Sequence, residues 1–393
     1  MTGLESVVLV DVVRTPLGRR NGALGRWHPV DLTAHVLDAL VRRNDLDPAL
    51  VDDVIVGCVS QTGEQGLNLA RSAVLAAGWP ESVPGVTIDR QCGSSQQAVH
   101  FAAQGIAAGA YEVVVAAGVE SMTRVPMGST IRNGPGHPFG DAVTGRYAAA
   151  GGLVPQGVAA ELVAERWALD RDELDAYSVE SHRRAARATD EGRFAREIVP
   201  VPDRPDPGVA KAVVDVDEGI RRDTSVEALA ALPPVFCTDG RITAGNSSQL
   251  SDGAAAAVLM SERRAAELGL SARLRFAAFA VAGVDPITML SGPIPATTTV
   301  LKRAGLRLDQ MDVIELNEAF ASVVLAWGRE HPCEPERLNP NGGAIALGHP
   351  LGCSGTRLLA TLTSEIERRS GRYGLQVMCE GGGTANAMVV ERA

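Results

Sequence analysis

Residues 88–109 read IDRQCGSSQQAVHFAAQGIAAG, and residues 352–366 read GCSGTRLLATLTSEI. In the first, a short apolar extended run ends at Cys92, and a glycine and two serines then open a helix of small residues. In the second, Gly352 opens another helix of the same design. Helices that begin in this way pack closely, because glycine and serine put little bulk between backbones. Two such units in one chain suggest two α/β halves of similar plan.

Outward from these units, the first 120 residues alternate Val/Ile-rich runs (Val7 to Val13, Asp53 to Val59, Tyr111 to Ala117) with segments of helical period (Asp31 to Arg43, Gly66 to Gly78). Such alternation predicts helices layered on a mixed or parallel sheet. From about Ser121 to Gln249 the pattern changes to Gly/Pro-rich loops around two charged amphipathic helices, near Gly157 to Trp167 and Arg171 to Glu191. Strand-like runs resume at Asp252 to Met260, Leu274 to Val284, Met311 to Leu316 and Gln376 to Cys379. The expected division is an N-terminal half of residues 1–120 with 250–270, an inserted loop domain of 121–249, and a C-terminal half of 271–393.

The composition excludes several function classes. With 393 residues and 45% hydrophobic content the chain can bury large cores. A formal charge of -10 disfavours nucleic acid and anionic membrane surfaces, which need clustered positive charge. No apolar run is long enough to span a bilayer and no basic stretch precedes the short apolar N-terminal segment, so the expected location is the cytoplasm. Six cysteines with no CxxC pair argue for free thiols over a disulfide framework or a zinc site. Small-molecule chemistry is the class left leading.

Four places can carry that chemistry. Cys92 stands at a helix start, where unpaired N–H groups and the helix dipole stabilise a thiolate or an oxyanion; the alternative is a small buried apolar side chain. His349, in NPNGGAIALGHPLGCSGTR, is enclosed by glycines and followed by Pro350, which would present the imidazole as a base, although histidine also makes ordinary structural hydrogen bonds. Cys379, in LQVMCEGGGTANA, ends a strand before Gly381 to Gly383, a turn that leaves N–H groups open to a reacting carbonyl. Asn317 in VIELNEAFASV could anchor a water or a carbonyl and Glu318 could orient a neighbour, unless the pair is only a helix cap. His100 and His182 keep the structural reading.

Together these segments resemble the thiolase family over essentially the whole chain. The resemblance runs in family order through RTPLG, the Cys92 segment, GVESMTRVPMG, TAGNSSQLSDGAAA, SGPIPA, NEAF, GGAIALGHPLGCSGTR and CEGGG. It implies an α/β protein of the five-layer α/β/α/β/α thiolase fold, with the loop domain over the active site. It implies Cys92 as acyl-accepting nucleophile, His349 as its base, Cys379 as proton shuttle, and Asn317 with His349 around the thioester enolate. The N–H groups of Cys92 and Gly381 would hold the tetrahedral oxyanion. Carried over by motif, Ser248 meets the pantetheine, Arg221 lies near the adenine, and Met289 and Phe320 line the thioester channel. Coenzyme A enters as substrate, with no metal or redox cofactor, and family members are homodimers or homotetramers.

The chain departs from the commonest pattern at three places. Ser95 replaces a glycine after CGS; Pro155-Gln156 stands where short-chain members carry His-Met, which argues for a larger acyl pocket with Gln156 in its wall; and Glu380 follows Cys379 directly. Adjacent strand residues point to opposite faces, so Glu380 is expected to turn away from the sulfur, toward the glycine turn or an arginine. Two rivals differ at named residues: a ketoacyl synthase has a second histidine where this chain has Asn317, and a non-catalytic thiolase-like carrier loses a catalytic group. HPLGC and GVESMTRVP resemble degradative members, and NEAFASVVLAW with Gln156 is similar to thiolases that handle bulky, even steroid-derived, acyl chains, which implies cleavage of 3-ketoacyl-CoA, with biosynthetic acetoacetyl-CoA formation as the alternative.

Overall fold

Val7–Arg14 forms a strand, β1, that is buried along its whole length in the computed structural model, which describes residues 5–132, 135–203 and 212–393. Its side chains divide between two cores, Val8, Val10 and Val13 entering one and Val7, Leu9 and Val12 the other. A strand apolar on both faces belongs to a sheet covered on both sides. A bulge between Leu9 and Asp11 resets the alternation, which is how Val10 and Val12 reach opposite cores.

The other main strands are β2 (Asp53–Gly57), β3 (Val86–Ile88), β4 (Val113–Ser121), β5 (Ser251–Ser261), β6 (Leu274–Gly283), β7 (Val313–Leu316), β8 (Tyr373–Glu380) and β9 (Thr384–Arg392). Their order is β7-β8-β9-β6-β1-β5-β4-β2-β3, and the plan repeats about its middle. Outward from β1 come β5, β4 and β2; outward from β6 come β9, β8 and β7. In each half the first two pairings are antiparallel and the third is parallel. The halves join where Val8 and Leu9 pair with Arg275 and Leu274.

The main helices are α1 (Pro29–Arg43), α2 (Leu69–Ala76), α3 (Ser94–Ala107), α4 (Gln156–Arg166), α5 (Arg171–Asp190), α6 (Pro293–Ala304), α7 (Ala321–Glu330) and α8 (Ser354–Arg369). One outer core joins α1 and α2 to the first half-sheet, another joins α6 and α7 to the second, and α3 and α8 fill the core between the half-sheets. That is the five-layer arrangement, with the two small-residue helices in the middle. They need to be small: a Cβ at Gly355 would come 2.2 Å from the backbone nitrogen of Gln96. Between β4 and β5, α4 and α5 pack over the second half, α4 sharing an apolar cluster with α7.

Sequence patterning passed over three elements, α6, α7 and β9. After Cys379 the chain does more than turn, because Gly382 and Gly383, at φ 79° and 82°, reverse it into β9, which pairs back along β8. Among the described residues no helix is long and apolar enough to cross a membrane.

Candidate active site

The turn between β3 and α3 delivers Cys92. It holds Gln91 at φ 48°, a left-handed conformation that non-glycine residues seldom adopt, and Gly93 then caps α3. Cys92 is buried among Met122, Leu351, Leu358 and Met378, so the chain segment carrying His349 packs directly against it. Burial, and after it the charge of Glu380, pushes the Cys92 thiol up to about 12. The N–H groups of Gly381 and of Cys92 itself, with the side chain of Gln156, pull the other way by donating toward the sulfur. A resting thiol in this setting needs a base to become a nucleophile.

Cys379, one residue from the end of β8, is fully buried in an apolar cluster with Met289, Phe320 and Ile345. Burial first, then Cys92, then Glu380 hold its thiol well above the usual range, so the charge on Cys92 is felt at Cys379. Gly381 lies between the groups that need it bare: a Cβ there would come 2.9 Å from Gln156 Nε2 and 3.1 Å from Gln91 Oε1.

His349 is buried, and its two nitrogens have different tasks. Asn317 Nδ2, 3.3 Å from Nε2, has only hydrogens to offer, so Nε2 accepts. Nδ1–H therefore donates to Ser354 Oγ at 2.6 Å, and that hydroxyl donates to the Pro350 carbonyl at 2.8 Å. Burial, then the nearby Arg357 guanidinium, lowers the imidazole to about 3. The ring is neutral at working pH, its basic lone pair on Nε2. Asn317 Oδ1 is buried and among the described residues accepts from no donor, which leaves it for a water or a substrate hydrogen.

Glu318 acts as a clamp. Its carboxylate accepts from Tyr177 (2.7 Å), Ser181 (2.7 Å), Asn339 (3.2 Å) and the Ile345 N–H (3.1 Å), tying α5 to the residues that precede His349. Gly343 is bare because a Cβ would meet Glu318 Cδ at 2.4 Å. Glu120, at the end of β4, accepts from the Gly352 N–H at 2.9 Å and so holds the other side of His349. Sequence reading missed Ser354, Glu120, Tyr177 and Ser181. Ser354 stands in the quoted helix start and Glu120 in GVESMTRVPMG, but their partners lie far away in the chain or were not singled out.

The remaining expected residues surround this centre. Met289 and Phe320 share the Cys379 cluster. Phe236 meets the Phe320 ring edge-on at 6.2 Å, an approach that Gly157 allows, since a Cβ there would lie 2.2 Å from the Phe236 ring. Ser248 is half-buried, its N–H donating at 2.9 Å to the carbonyl of Ala319, the residue before Phe320. Arg221 is exposed on the surface, its backbone N–H donating to His182 Nδ1 at 3.0 Å, and among the described contacts it touches none of the thiols.

Two departures resolve differently from expectation. Ser95 fits without distortion: it is buried, and its hydroxyl accepts from the Thr356 N–H at 2.9 Å, joining α3 to α8. Glu380 does not reach solvent, and among the described residues it forms no ion pair and no donor of good geometry meets either carboxyl oxygen. The alternation that turns it from Cys379 sends it into the central layer. On that face Gln376 bonds to Gln96 of α3 at 2.9 Å, and the Glu380 carboxyl lies over Gly93.

Comparison with known proteins follows from this geometry. The family model described as thiolase, N-terminal domain, matches residues 7–263, and the one described as thiolase, C-terminal domain, matches residues 270–392. The chain is 48% identical to the steroid 3-ketoacyl-CoA thiolase FadA6 of Mycobacterium tuberculosis, over 99% of this chain and 95% of that protein. It is 46% identical to the 3-ketoacyl-CoA thiolase of Erwinia tasmaniensis, over 99% and 100%. The crystal structure of the Bacillus anthracis acetyl-CoA acetyltransferase superposes with a TM-score of 0.91 at 39% identity, covering all of both chains.

Proposed function

The chain belongs to the thiolase family, and from that premise we propose that it cleaves 3-ketoacyl-CoA with CoA, giving acetyl-CoA and a shortened acyl-CoA. The observation that carries this reading is the pair of buried thiols, Cys92 near enough to act on Cys379, with the Gly381 N–H donating toward the Cys92 sulfur. His349 Nε2 takes the Cys92 proton, and the thiolate attacks the keto carbon. The oxyanion is held by the N–H groups of Cys92 and Gly381. As the carbon–carbon bond breaks, its electron pair passes to the acetyl-CoA enolate, whose thioester oxygen lies by Asn317 and His349, and the Cys379 thiol protonates the carbon. In the second half CoA gives its proton to the Cys379 thiolate and attacks the acyl-Cys92 thioester. The departing Cys92 sulfur recovers its proton from His349. Coenzyme A is thus a substrate, bound along Ser248 with its adenine end toward Arg221.

A larger acyl group is the favoured substrate. Gln156 at the first turn of α4, Met289 and Phe320 would form its wall, and the name of the Mycobacterium tuberculosis relative points to steroid-derived chains. The second reading, an acetyl-CoA acetyltransferase, draws on the likeness to the Bacillus anthracis structure. The working form is a cytoplasmic homo-oligomer: β3 ends the sheet, and Leu67, Leu75, Val86 and Phe101 expose apolar surface along that edge. CoA-dependent thiolysis across 3-ketoacyl-CoA substrates of increasing bulk tests the assignment. Preference for long or branched chains is expected; a strong preference for acetoacetyl-CoA selects the second reading.

A further inference from the structure

Gly93, the residue that follows the nucleophile and caps α3, is enclosed from one side by two polar side chains of the β8–β9 hairpin. A Cβ on Gly93 would come 2.0 Å from Glu380 Oε1, and 2.8 and 2.9 Å from Asn386 Nδ2 and Oδ1. Asn386 Nδ2 donates to the Gly93 carbonyl at 3.0 Å, which fixes the amide and turns its oxygen toward the same spot as the carboxyl. Glu380 Oε1 and Asn386 Oδ1 thus crowd one glycine, and among the described residues neither they nor Glu380 Oε2 has a well-aligned donor. An ionised carboxylate in such a place is costly and finds no counter-ion at bonding distance. A proton on Glu380 removes the charge and converts one acceptor into a donor.

We propose that Glu380 is a positioning residue for the thiol pair, kept as a neutral carboxylic acid beneath the start of α3, and that its ionisation disables Cys92 and so sets the alkaline limit of the enzyme. The inference rests on the reading of Cys92 as nucleophile. Its physical basis is that every negative charge in the reaction forms on or beside a sulfur, and a carboxylate packed against Gly93 and next to Cys379 in the chain opposes each of them. While Glu380 is neutral, the N–H groups at the helix start act on the thiolate unopposed. The charged and titratable groups that act on this carboxyl or respond to it are Asp89 and Arg90 from the turn before Cys92, and the two thiols. Burial dominates and raises the carboxyl to about 7; Thr384 and Arg90 pull it down and Asp89 raises it. Loss of the proton therefore comes on as pH rises through neutrality, and below it the surroundings keep the carboxylic acid neutral, as in other sites of this kind.

The test reads the Cys92 thiolate directly. Wild type and Glu380→Gln, a neutral isostere of the protonated acid, are alkylated with iodoacetamide from pH 6 to pH 10, and the labelled cysteine is identified by peptide mapping. The expected result is labelling at Cys92 in both, with the variant reacting at least threefold faster above pH 8 and the gap closing as pH falls to 6. Coincident Cys92 profiles overturn the role of Glu380 and leave the nucleophile assignment standing. Labelling confined to other cysteines overturns the nucleophile and this inference with it. A difference infrared titration of unlabelled wild-type protein needs no variant: a protonated-carboxyl band lost as pH rises through neutrality, and absent from Glu380→Gln, supports the proposal. No such band at pH 6 refutes it.

Discussion

Replacing Glu318 with glutamine tests whether the active-site floor is held by one carboxylate. The substitution keeps the shape but leaves a single acceptor oxygen and brings an NH2 group against the donors Tyr177, Ser181, Asn339 and the Ile345 N–H. Hydrogen bonds to a charged acceptor contribute about 1.5–3 kcal/mol each, and donors left dry in the interior cost about 1–3 kcal/mol. Two of the four bonds survive at best, and the losses within one network are not additive, so the expected destabilisation is about 3–5 kcal/mol. Tyr177→Phe, which removes one donor, should cost about 1–2 kcal/mol. Urea unfolding followed by tryptophan fluorescence reports this well, because Trp327 of α7 is fully buried nearby. Turnover should fall along with stability, since Asn317 precedes Glu318 and the His349 segment is tied to it. A loss below about 1 kcal/mol for Glu318→Gln would show that the clamp does not hold the site.

His349→Ala and Asn317→Ala should each lower turnover about a hundredfold or more with little change in substrate affinity, the pattern of removed transition-state contacts; steady-state kinetics with thiolysis checks both, and unchanged turnover removes the residue from the mechanism. Gly157→Ala drives the Phe236 ring away from Phe320, so the KM for long acyl chains should rise several-fold while acetoacetyl-CoA is less affected. Glu380 binds its proton more tightly in the folded protein (about 7) than its ordinary value of 4.5. Its contribution to stability is therefore full below about pH 4.5 and is lost as pH rises through about 7, by about 3 kcal/mol in all. Glu380→Gln should consequently gain stability relative to wild type between pH 5 and pH 8, and urea midpoints at the two pH values check the sign.

Much of this site could be read in the sequence because its chemistry is carried by local patterns. Cys92 before Gly93 and Ser94, His349 among glycines, and Cys379 before three glycines each announce a strand end or helix start. The paired halves were legible from two similar small-residue helices, now α3 and α8. What escaped depends on contacts distant in the chain: Tyr177 and Ser181 reach Glu318 across more than a hundred residues, and Glu120 reaches Gly352 across still more. The Glu380 expectation failed for a different reason. Alternation gave the correct face, but in a five-layer protein the face opposite Cys379 is another buried layer, and the start of α3 lies there.

Acyl transfer to Cys92 is the central claim, and trapping the intermediate tests it most directly. The enzyme is mixed with a 3-ketoacyl-CoA in the absence of CoA, quenched in acid, digested and mapped by mass spectrometry. The account predicts an acyl thioester on the peptide containing Cys92, lost on addition of CoA and absent from Cys92→Ser. An acyl group on Cys379 or another cysteine, or its persistence in Cys92→Ser, would contradict it.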